Sequence, residues 1–464
     1  MIVQFLKTWF GDFSKEELKK FSLLGLIFSL LIGVYWTLRI FKDTFFQEII
    51  GKEYQPWAKG VSLVVMFPLV IIYSKILEKV SREKMFYILS TIYGLSLLIF
   101  TYLFNDPIIG LDNKVMSLTR MVGWVWYVFV ESFGSLMVGA LFWAFATDIT
   151  SPESAKKGFS FVVMIGQIGG ILLPIMCKFP SWYKIHSSYM VLVCAGLVFL
   201  IMPLVKFFLT VVPKNQMVGY AEKGHSHQEE VEPGFLEGLR LLVSQPYLLG
   251  IFSVIFFYEM IVTVIDYYFK FMAAAQIPDL ALRNEYMSNY ASYVNLVTLL
   301  CLVFGINNIQ RRLGLAFSLG LMPILVGIAV FMFGLNASLT LLFYLMVASK
   351  AVNYALNGPS LKQLYIPTTK EVRYKAQAWI ESFGGRGSKA AGSGINEMHK
   401  YFLIWFNGSN WKNIAVLSAA DYGSFYHILM SCGFFGFVLV GWFFIAMYLS
   451  GTYKKAVDHN KVVC

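Results

Sequence analysis

Hydrophobic positions along the chain form long runs that are separated by short polar or charged connections. A run of about 20 apolar residues is what an α-helix needs to cross the hydrocarbon core of a bilayer. The runs predict twelve transmembrane helices, near residues 21–45, 58–80, 85–104, 119–146, 158–178, 188–212, 246–272, 286–307, 313–335, 337–358, 374–406 and 422–450.

A polar stretch divides these helices into two sets of six. It contains Pro213, Lys214, His225, Glu229 and Pro233 and is too polar to cross a membrane. The pattern predicts five regions: an N-terminal segment at 1–20, a six-helix bundle at 21–212, a connector at 213–245 with a short interfacial helix at Phe235–Leu242, a second six-helix bundle at 246–450, and a C-terminal segment at 451–464.

Basic residues favour one side of the predicted membrane topology. They occur in alternate connections, at Arg82 and Lys84, Lys156 and Lys157, Lys214 and Lys223, Arg311 and Arg312, and Lys370, Arg373 and Lys375. The positive-inside rule places these connections and both termini in the cytoplasm. Six plus six helices with a cytoplasmic connector predict an all-α polytopic membrane protein of major-facilitator-like architecture, built from two parallel repeats.

The composition agrees with a membrane protein. Of 464 residues, 57% are hydrophobic and only 14% are charged, against about 25% charged residues in an average soluble domain. The net charge of +11 fits either the bias of cytoplasmic loops or attraction of an anionic solute, and we expect no nucleic-acid partner. Residues 1–20 lack the features of a signal or transit peptide, which favours a bacterial inner membrane.

Cations interrupt the end of the first apolar run. Arg39 and Lys42 follow Tyr35 at helical spacing, so the three side chains share one face. A charge at the centre of a membrane helix costs about 2.5–3.5 kcal/mol on insertion scales, and such residues usually face a bundle interior or a watery cavity. This face is therefore predicted to line such a cavity.

Carboxylates lie inside two further predicted helices. Glu131 is deep in the fourth, and in the seventh Glu259, Asp266 and Lys270 share one face with Thr263. Glu131 is interpreted as a gate, a substrate contact or a proton carrier, against a purely structural ion pair. Glu259 and Lys270 either assist gating or coupling, or simply pair around Asp266.

The eleventh segment combines glycines with cations. Arg386 and Lys389 lie among Gly384, Gly385, Gly387, Gly392 and Gly394, but the spacing is not that of a phosphate-binding P-loop. Small residues allow close helix packing, and the two cations could meet phosphate oxygens. Glu381 repeats the Glu-Ser-Phe-Gly sequence of Glu131, and it is kept as a further candidate for gating or coupling.

No nucleophilic triad, paired-carboxylate site or metal-ligand cluster is recognisable in the sequence. The prediction is therefore no enzyme, no cofactor and no metal site. A cavity that carries both cations and carboxylates suits a multiply charged anion that must be bound and then released.

Four stretches resemble the ATP/ADP translocase, or nucleotide transporter, family of chlamydiae, rickettsiae and plastids. Leu38–Asp43 is similar to its first-helix Leu-Arg-x-x-Lys-Asp motif, and 131–146 to its Glu-x-x-Gly-Ser and Phe-Trp-x-Phe-Ala pattern. Tyr258–Lys270 aligns without gaps to a Tyr-Gly-x-x-x-Asn-x-x-Glu-x-x-Trp-Lys pattern, and 364–389 resembles the region between the tenth and eleventh helices.

The resemblance implies transport roles for four charged residues. Lys42 and Lys389 would hold phosphates, with Arg386 and Lys375 as rivals to Lys389, while Glu131 and Asp266 would gate or contact the nucleotide. Two departures from the family pattern matter: Asp266 replaces Glu, and Glu259 stands where the pattern has Gly. An added acid disfavours a polyanion and could serve proton coupling.

The sequence thus favours ATP/ADP antiport by alternating access, with Tyr35, Trp36 or Phe257 as candidates to stack on the base. Proton-coupled nucleotide import, or transport of another anion such as NAD or phosphate, stays open. A non-transporting receptor or scaffold is the alternative of another class. The expected partners are the nucleotide and the lipid bilayer, and transport does not require an oligomer.

Overall fold

The computed structural model describes residues 13–113, 118–150, 152–213, 217, 235–304, 306–335, 338–365, 367–369, 380, 384–407, 434–459 and 462–463. Their regular structure is helical. The α-helices are α1 Lys15–Ile49, α2 Gln55–Lys79, α3 Arg82–Asn105, α4 Met121–Phe133, α5 Trp143–Asp148, α6 Pro152–Leu172, α7 Phe179–Tyr183, α8 Tyr189–Val211, α9 Phe235–Ser244, α10 Pro246–Gln276, α11 Leu280–Val303, α12 Ile306–Leu335, α13 Leu339–Val352, α14 Gly358–Gln363, α15 Gly385–Asn407 and α16 Phe434–Asp458.

Short helical segments of other pitch join some of these helices. A π-helical segment, Gly134–Phe142, connects α4 to α5, and a second one, Asn353–Asn357, connects α13 to α14. A 3₁₀ segment, Leu173–Lys178, follows α6. The fourth predicted span is therefore one continuous helical rod with a π-helical middle.

Ten stretches of the described helices are long and apolar enough to cross a membrane. Each of the twelve predicted segments overlaps a described helix, and the two outside the set of ten are the more polar helices α11 and α15. Several helix boundaries differ from the prediction; α1, for example, runs over Lys15–Ile49 instead of 21–45. The short interfacial helix runs on to Ser244, and α10 continues to Gln276.

The contacts group the chain into two compact units. Unit 1 contains residues 1–229 and 277–303, and unit 2 contains residues 230–276 and 304–464. Helix α11 thus packs with unit 1, although its neighbours in sequence belong to unit 2. The boundaries of the two predicted six-helix bundles stay a prediction.

Helix α1 forms the centre of unit 1 and packs on α4, α6, α8 and α11. It starts with a capping box, in which the Ser14 hydroxyl accepts from the Glu17 amide and the Glu17 carboxylate accepts from the Ser14 amide. Apolar side chains at seven-residue spacing, Leu24, Leu31 and Leu38, are fully buried. Since neighbours surround α1, its polar residues must find partners inside the protein.

Small residues bring α1 and α6 close together. A Cβ atom added to Gly169 would overlap the backbone carbonyl oxygen of Ser29, and one added to Gly33 would overlap the side chain of Leu173. Close approach through glycine is a common way to pack membrane helices. Gly169 therefore allows the backbones of α1 and α6 to approach each other closely.

Helix α11 turns a polar face towards the other helices of unit 1. Arg283 forms a 2.7 Å ion pair with Glu48 of α1. The hydroxyls of Ser288 and Ser292 donate to the carbonyl oxygens of Pro174, at 2.7 Å, and Ile171, at 3.0 Å. Because these polar groups are buried against partners, α11 is a packed helix even though its sequence is less apolar than that of the other spans.

Helix α10 has the corresponding position in unit 2, where it packs on α13, α15 and α16. Gly392 of α15 lies against the Met260 carbonyl oxygen and the Thr263 side chain, so α15 approaches the α10 backbone closely. Helix α12 breaks at Gly314, whose φ of 81° suits glycine. The close contact fixes the register between α10 and α15, which carry most of the predicted charged residues of unit 2.

Replacing Gly169 by Ala tests the α1–α6 contact. The added methyl group meets backbone, which cannot move as a side chain can, so we expect a loss of about 1–3 kcal/mol in stability. The measurement is the melting temperature of the purified protein in detergent. Gly196→Ala is the matched control, because that exposed position in α8 has open space. Equal melting of both variants and the wild type would contradict the packing account.

Candidate functional site

Lys42 lies at the centre of a buried charged cluster in unit 1. It is 5% exposed and forms an ion pair with Glu131 of α4. Its Nζ atom lies 3.6 Å from Oδ1 of Asp43 and 4.5 Å from the centroid of the Tyr127 ring. Two carboxylates and an aromatic face thus replace the water that a buried ammonium group loses.

Polar and aromatic neighbours hold this cluster in place. Asp43 Oδ1 accepts a 2.7 Å hydrogen bond from the Gln55 amide, and Gln55 Oε1 accepts one of 3.1 Å from Gln47. The Trp126 indole donates to the carbonyl oxygen of Phe41, at 3.1 Å. These bonds fix α1 against its neighbours on both sides of Lys42, so the ammonium group has a defined position.

Glu131 is the more accessible member of the pair. Its side chain is 38% exposed, and it lies three residues before the π-helical segment that starts at Gly134. A side chain with this exposure can exchange a protein partner for water. The next residue, Ser132, shares a 2.9 Å hydrogen bond with Tyr93 of α3, which anchors the backbone at this point.

Arg39 and the three candidate base-stacking residues lie near aromatic groups. The Arg39 guanidinium lies 5.0 Å from the centroid of the buried Trp36 ring. Tyr35 is half-buried, and a Cβ atom on Gly134 would overlap its ring. Phe257 of α10 is half-buried and has an edge contact with Phe256. Tyr35 and Phe257 have more exposed surface for a ligand than Trp36 has.

Asp266 is the centre of a second buried cluster, in unit 2. Its side chain is 6% exposed, and Lys270, one turn further along α10, donates a 2.5 Å hydrogen bond to Oδ2. The Nζ atom of Lys350, from α13, lies 3.0 Å from Oδ1. Each carboxylate oxygen therefore has its own ammonium partner, and Lys270 is explained as one member of this cluster.

Lys350 is a member of this cluster that the motifs did not single out. It lies within the apolar 337–358 run and is buried in the structure. The sequence nevertheless contained a signal for it. Like Lys42, it is a lysine inside a predicted span, and such a charge usually faces a protein interior or a watery cavity. Its partner could not have been read from the sequence, since Asp266 and Lys350 are on different helices.

Glu259 pairs with Lys389 instead of joining the Asp266 cluster. The Lys389 Nζ atom lies 3.7 Å from Oε2 of Glu259, with side chains 55% and 25% exposed, respectively. Arg386 is half-buried, one turn before Lys389 on α15. Glu381 and Lys375 lie outside the described residues. The second unit thus contains a buried charged cluster and a separate, more solvated ion pair.

The arrangement is suited to reversible binding of an anion. In each unit a buried lysine is held by a carboxylate that an anionic ligand could displace, and each exchange would leave the lysine with a partner. Within the described part of the chain, no group of three or more His, Cys, Asp or Glu side chains is arranged to hold a metal ion.

Comparison with known proteins gives one family for the chain. The model of the TLC ATP/ADP transporter family matches residues 3–422. ADP,ATP carrier protein 1 of Rickettsia bellii (strain RML369-C) is 25% identical over 84% of this chain and 87% of its own length. ADP,ATP carrier protein 1 of Rickettsia prowazekii (strain Madrid E) is 25% identical over 96% of this chain and 95% of its own.

Solved structures of transporters share the fold. A bacterial homologue of the human lysosomal transporter Spinster, in an inward-facing and unoccupied conformation, has a TM-score of 0.60 at 13% identity and covers 96% of this chain and 99% of its own. The nucleoside transporter NupG has a TM-score of 0.55 at 15% identity and covers 94% and 99%. The predicted all-α, major-facilitator-like fold class is confirmed.

Replacing Asp266 and Glu259 by alanine, one at a time, tests whether the two ion-pair sites of unit 2 differ in burial. Asp266→Ala leaves two buried ammonium groups without this partner and should reduce stability by about 3–5 kcal/mol. Glu259→Ala breaks a more solvated pair and should reduce it by about 0–1 kcal/mol. Melting temperatures of both purified variants check this, and equal losses would contradict the difference in burial.

Proposed function

Because this chain belongs to the TLC ATP/ADP transporter family, we propose that its two charged clusters bind and release the phosphate chain of ATP and ADP during exchange by alternating access. The protein is a membrane nucleotide transporter and not an enzyme. The family assignment gives the cargo class. The proposal adds which residues bind and release the nucleotide.

The Lys42–Glu131 pair is the observation that carries this proposal. A buried lysine and a partly exposed glutamate form an ion pair at the position where the family's first-helix and fourth-helix motifs predicted transport residues. Breaking a buried ion pair by removing one partner costs about 3–5 kcal/mol. A phosphate that replaces the carboxylate avoids this loss, because the ammonium group keeps an anionic partner.

Exchange of partners also explains release. A phosphate chain held by lysines alone would dissociate slowly, whereas a nearby carboxylate competes for the same ammonium group. Glu131 serves as this competitor for Lys42, and Asp266 does so for the lysines of unit 2. Lys389, Arg386 and Arg39 are further cations that contact the anion, and Tyr35, Trp36 or Phe257 stacks on the base.

The remaining parts of the proposal concern the cellular setting. The alternate distribution of basic connections supports a bacterial inner-membrane protein with both termini in the cytoplasm. Many large apolar side chains of the described helices are exposed, among them Val64, Ile72 and Tyr102, and the lipid bilayer would cover them. Each unit contains its own charged cluster, so a single chain suffices for transport.

Proton-coupled nucleotide import is the second candidate function, and Glu259 favours it. This carboxylate stands where the family pattern has Gly, and its side chain is partly exposed beside Lys389. A partly solvated carboxylate that can lose its lysine partner can bind and release a proton during the cycle. In this alternative Glu259 carries the coupling proton and Asp266 still holds the lysines.

The test of exchange is uptake of radiolabelled ATP into proteoliposomes preloaded with ADP or with buffer. We expect uptake only with internal ADP, because reorientation of the clusters requires a bound anion. Uptake without internal ADP that is driven by a proton gradient and lost in Glu259→Gln would favour the importer. Absence of uptake in all conditions would contradict both functions.

The role of Lys42 is tested in the same vesicles. Lys42→Ala should reduce exchange at least tenfold, since one charge-assisted hydrogen bond is worth about 1.5–3 kcal/mol. Lys362→Ala, a change of an exposed lysine in α14, is the matched control and should transport normally. Full exchange by Lys42→Ala at equal protein abundance would contradict the proposed phosphate contact.

A further inference from the structure

The two buried ion pairs lie on corresponding helices of the two predicted sets of six spans. In unit 1 the pair joins Lys42 of the first span to Glu131 of the fourth. In the second half of the chain it joins Asp266, on the seventh predicted span, to Lys350, on the tenth. These are the first and fourth spans of the second predicted set of six. The two pairs thus have the same helical positions and opposite charge order. Lys350, and not the sequence-related Glu381, is the positional counterpart of Glu131.

A second feature supports this correspondence. The π-helical segment Gly134–Phe142 starts three residues after Glu131, and the segment Asn353–Asn357 starts three residues after Lys350. Single π-helical turns inside α-helices are frequent at functional sites. Each charged residue therefore precedes the same local irregularity in its helix.

The geometry around Asp266 suits a phosphate. Lys270 lies 2.5 Å from one carboxylate oxygen and Lys350 lies 3.0 Å from the other. A phosphate group also presents pairs of anionic oxygens on one central atom, so two ammonium groups placed for a carboxylate are placed for two phosphate oxygens. The lysines come from different helices, α10 and α13, which defines the position of the ligand between them.

We infer that Lys350 is a phosphate-binding residue of the transport site, and that with Lys270 it holds oxygens of the nucleotide's phosphate chain when Asp266 is displaced. The inference rests on the proposed function and extends it to a residue that the motif comparison did not include. It also assigns Asp266 a defined role, which is to occupy the phosphate position when the site holds no nucleotide.

Opposite effects on affinity distinguish this role from a structural ion pair. Asp266→Asn removes the competing anion at nearly constant shape, so ADP should bind several-fold more tightly while exchange slows. Lys350→Gln removes a phosphate contact, so ADP should bind about ten- to a hundredfold more weakly. If the pair were only structural, Asp266→Asn would not tighten binding.

The measurement is equilibrium binding of radiolabelled ADP to the purified full chain, with inorganic pyrophosphate as a competitor. Pyrophosphate should lose competing strength in Lys350→Gln, because the lost contact is to phosphate. Lys362→Gln is the matched control and should bind ADP as the wild type does. Unchanged ADP and pyrophosphate affinity in Lys350→Gln would overturn the inference.

Two further outcomes separate the inference from the proposed function. If the wild type exchanges ATP for ADP and Asp266→Asn binds ADP no more tightly, the inference fails and the transporter function stands. If the wild type neither binds nor exchanges nucleotide, the proposed function fails as well. Should Lys350→Gln not fold, the affinity of Asp266→Asn decides the question by itself.

Discussion

A charge inside an apolar helix must keep a partner, and this constraint organises both units. Lys42 and Asp266 are almost completely buried on helices that are surrounded by neighbours. Removing either partner of such a pair would cost several kcal/mol, so the helices that bring the partners must be held in a fixed register. Glycine contacts such as Gly169 on Ser29 and Gly392 on Met260 provide that register. The glycine contacts therefore help to keep the buried charges paired, and the ion pairs in turn help to hold the helices together.

The opposite charge order of the two pairs has a consequence for substrate choice. The fourth predicted span of the first half carries the acid and that of the second half carries the base, so a search for a repeated carboxylate does not find Lys350. A repeat that inverts its charges gives each unit one displaceable carboxylate and at least one lysine. Within unit 2 alone, a ligand group with two anionic oxygens can meet both Lys270 and Lys350, whereas one with a single anionic oxygen can satisfy only one of them.

Much of the fold followed from the sequence, because hydrophobic runs and basic connections record the environment of each segment directly. The motifs and the charges within apolar runs also drew attention to four charged residues that the structure places in ion pairs: Lys42, Glu131, Asp266 and Lys389. What could not be predicted depends on contacts between helices. Glu259 lies on the same face as Asp266, yet it pairs with Lys389 because Gly392 sets the register of α15. Lys350 was visible as an intramembrane lysine, but its pairing with Asp266 required the structure. The π-helical segments and the packing of α11 have no simple sequence signal.

The two carboxylates that hold the buried lysines differ in their exposure to water. Glu131, at 38% exposure, can turn towards water as soon as a phosphate reaches Lys42, so this exchange needs little rearrangement. The Asp266 side chain is only 6% exposed, so it has no direct contact with water to turn to. If it left its lysines without gaining water or another cation, the carboxylate would be a buried, unpaired charge, which is strongly unfavourable. Its displacement must therefore accompany a conformational change that hydrates it. The two carboxylates therefore differ in what their displacement requires: Glu131 already has contact with water, whereas Asp266 gains it only through a local rearrangement.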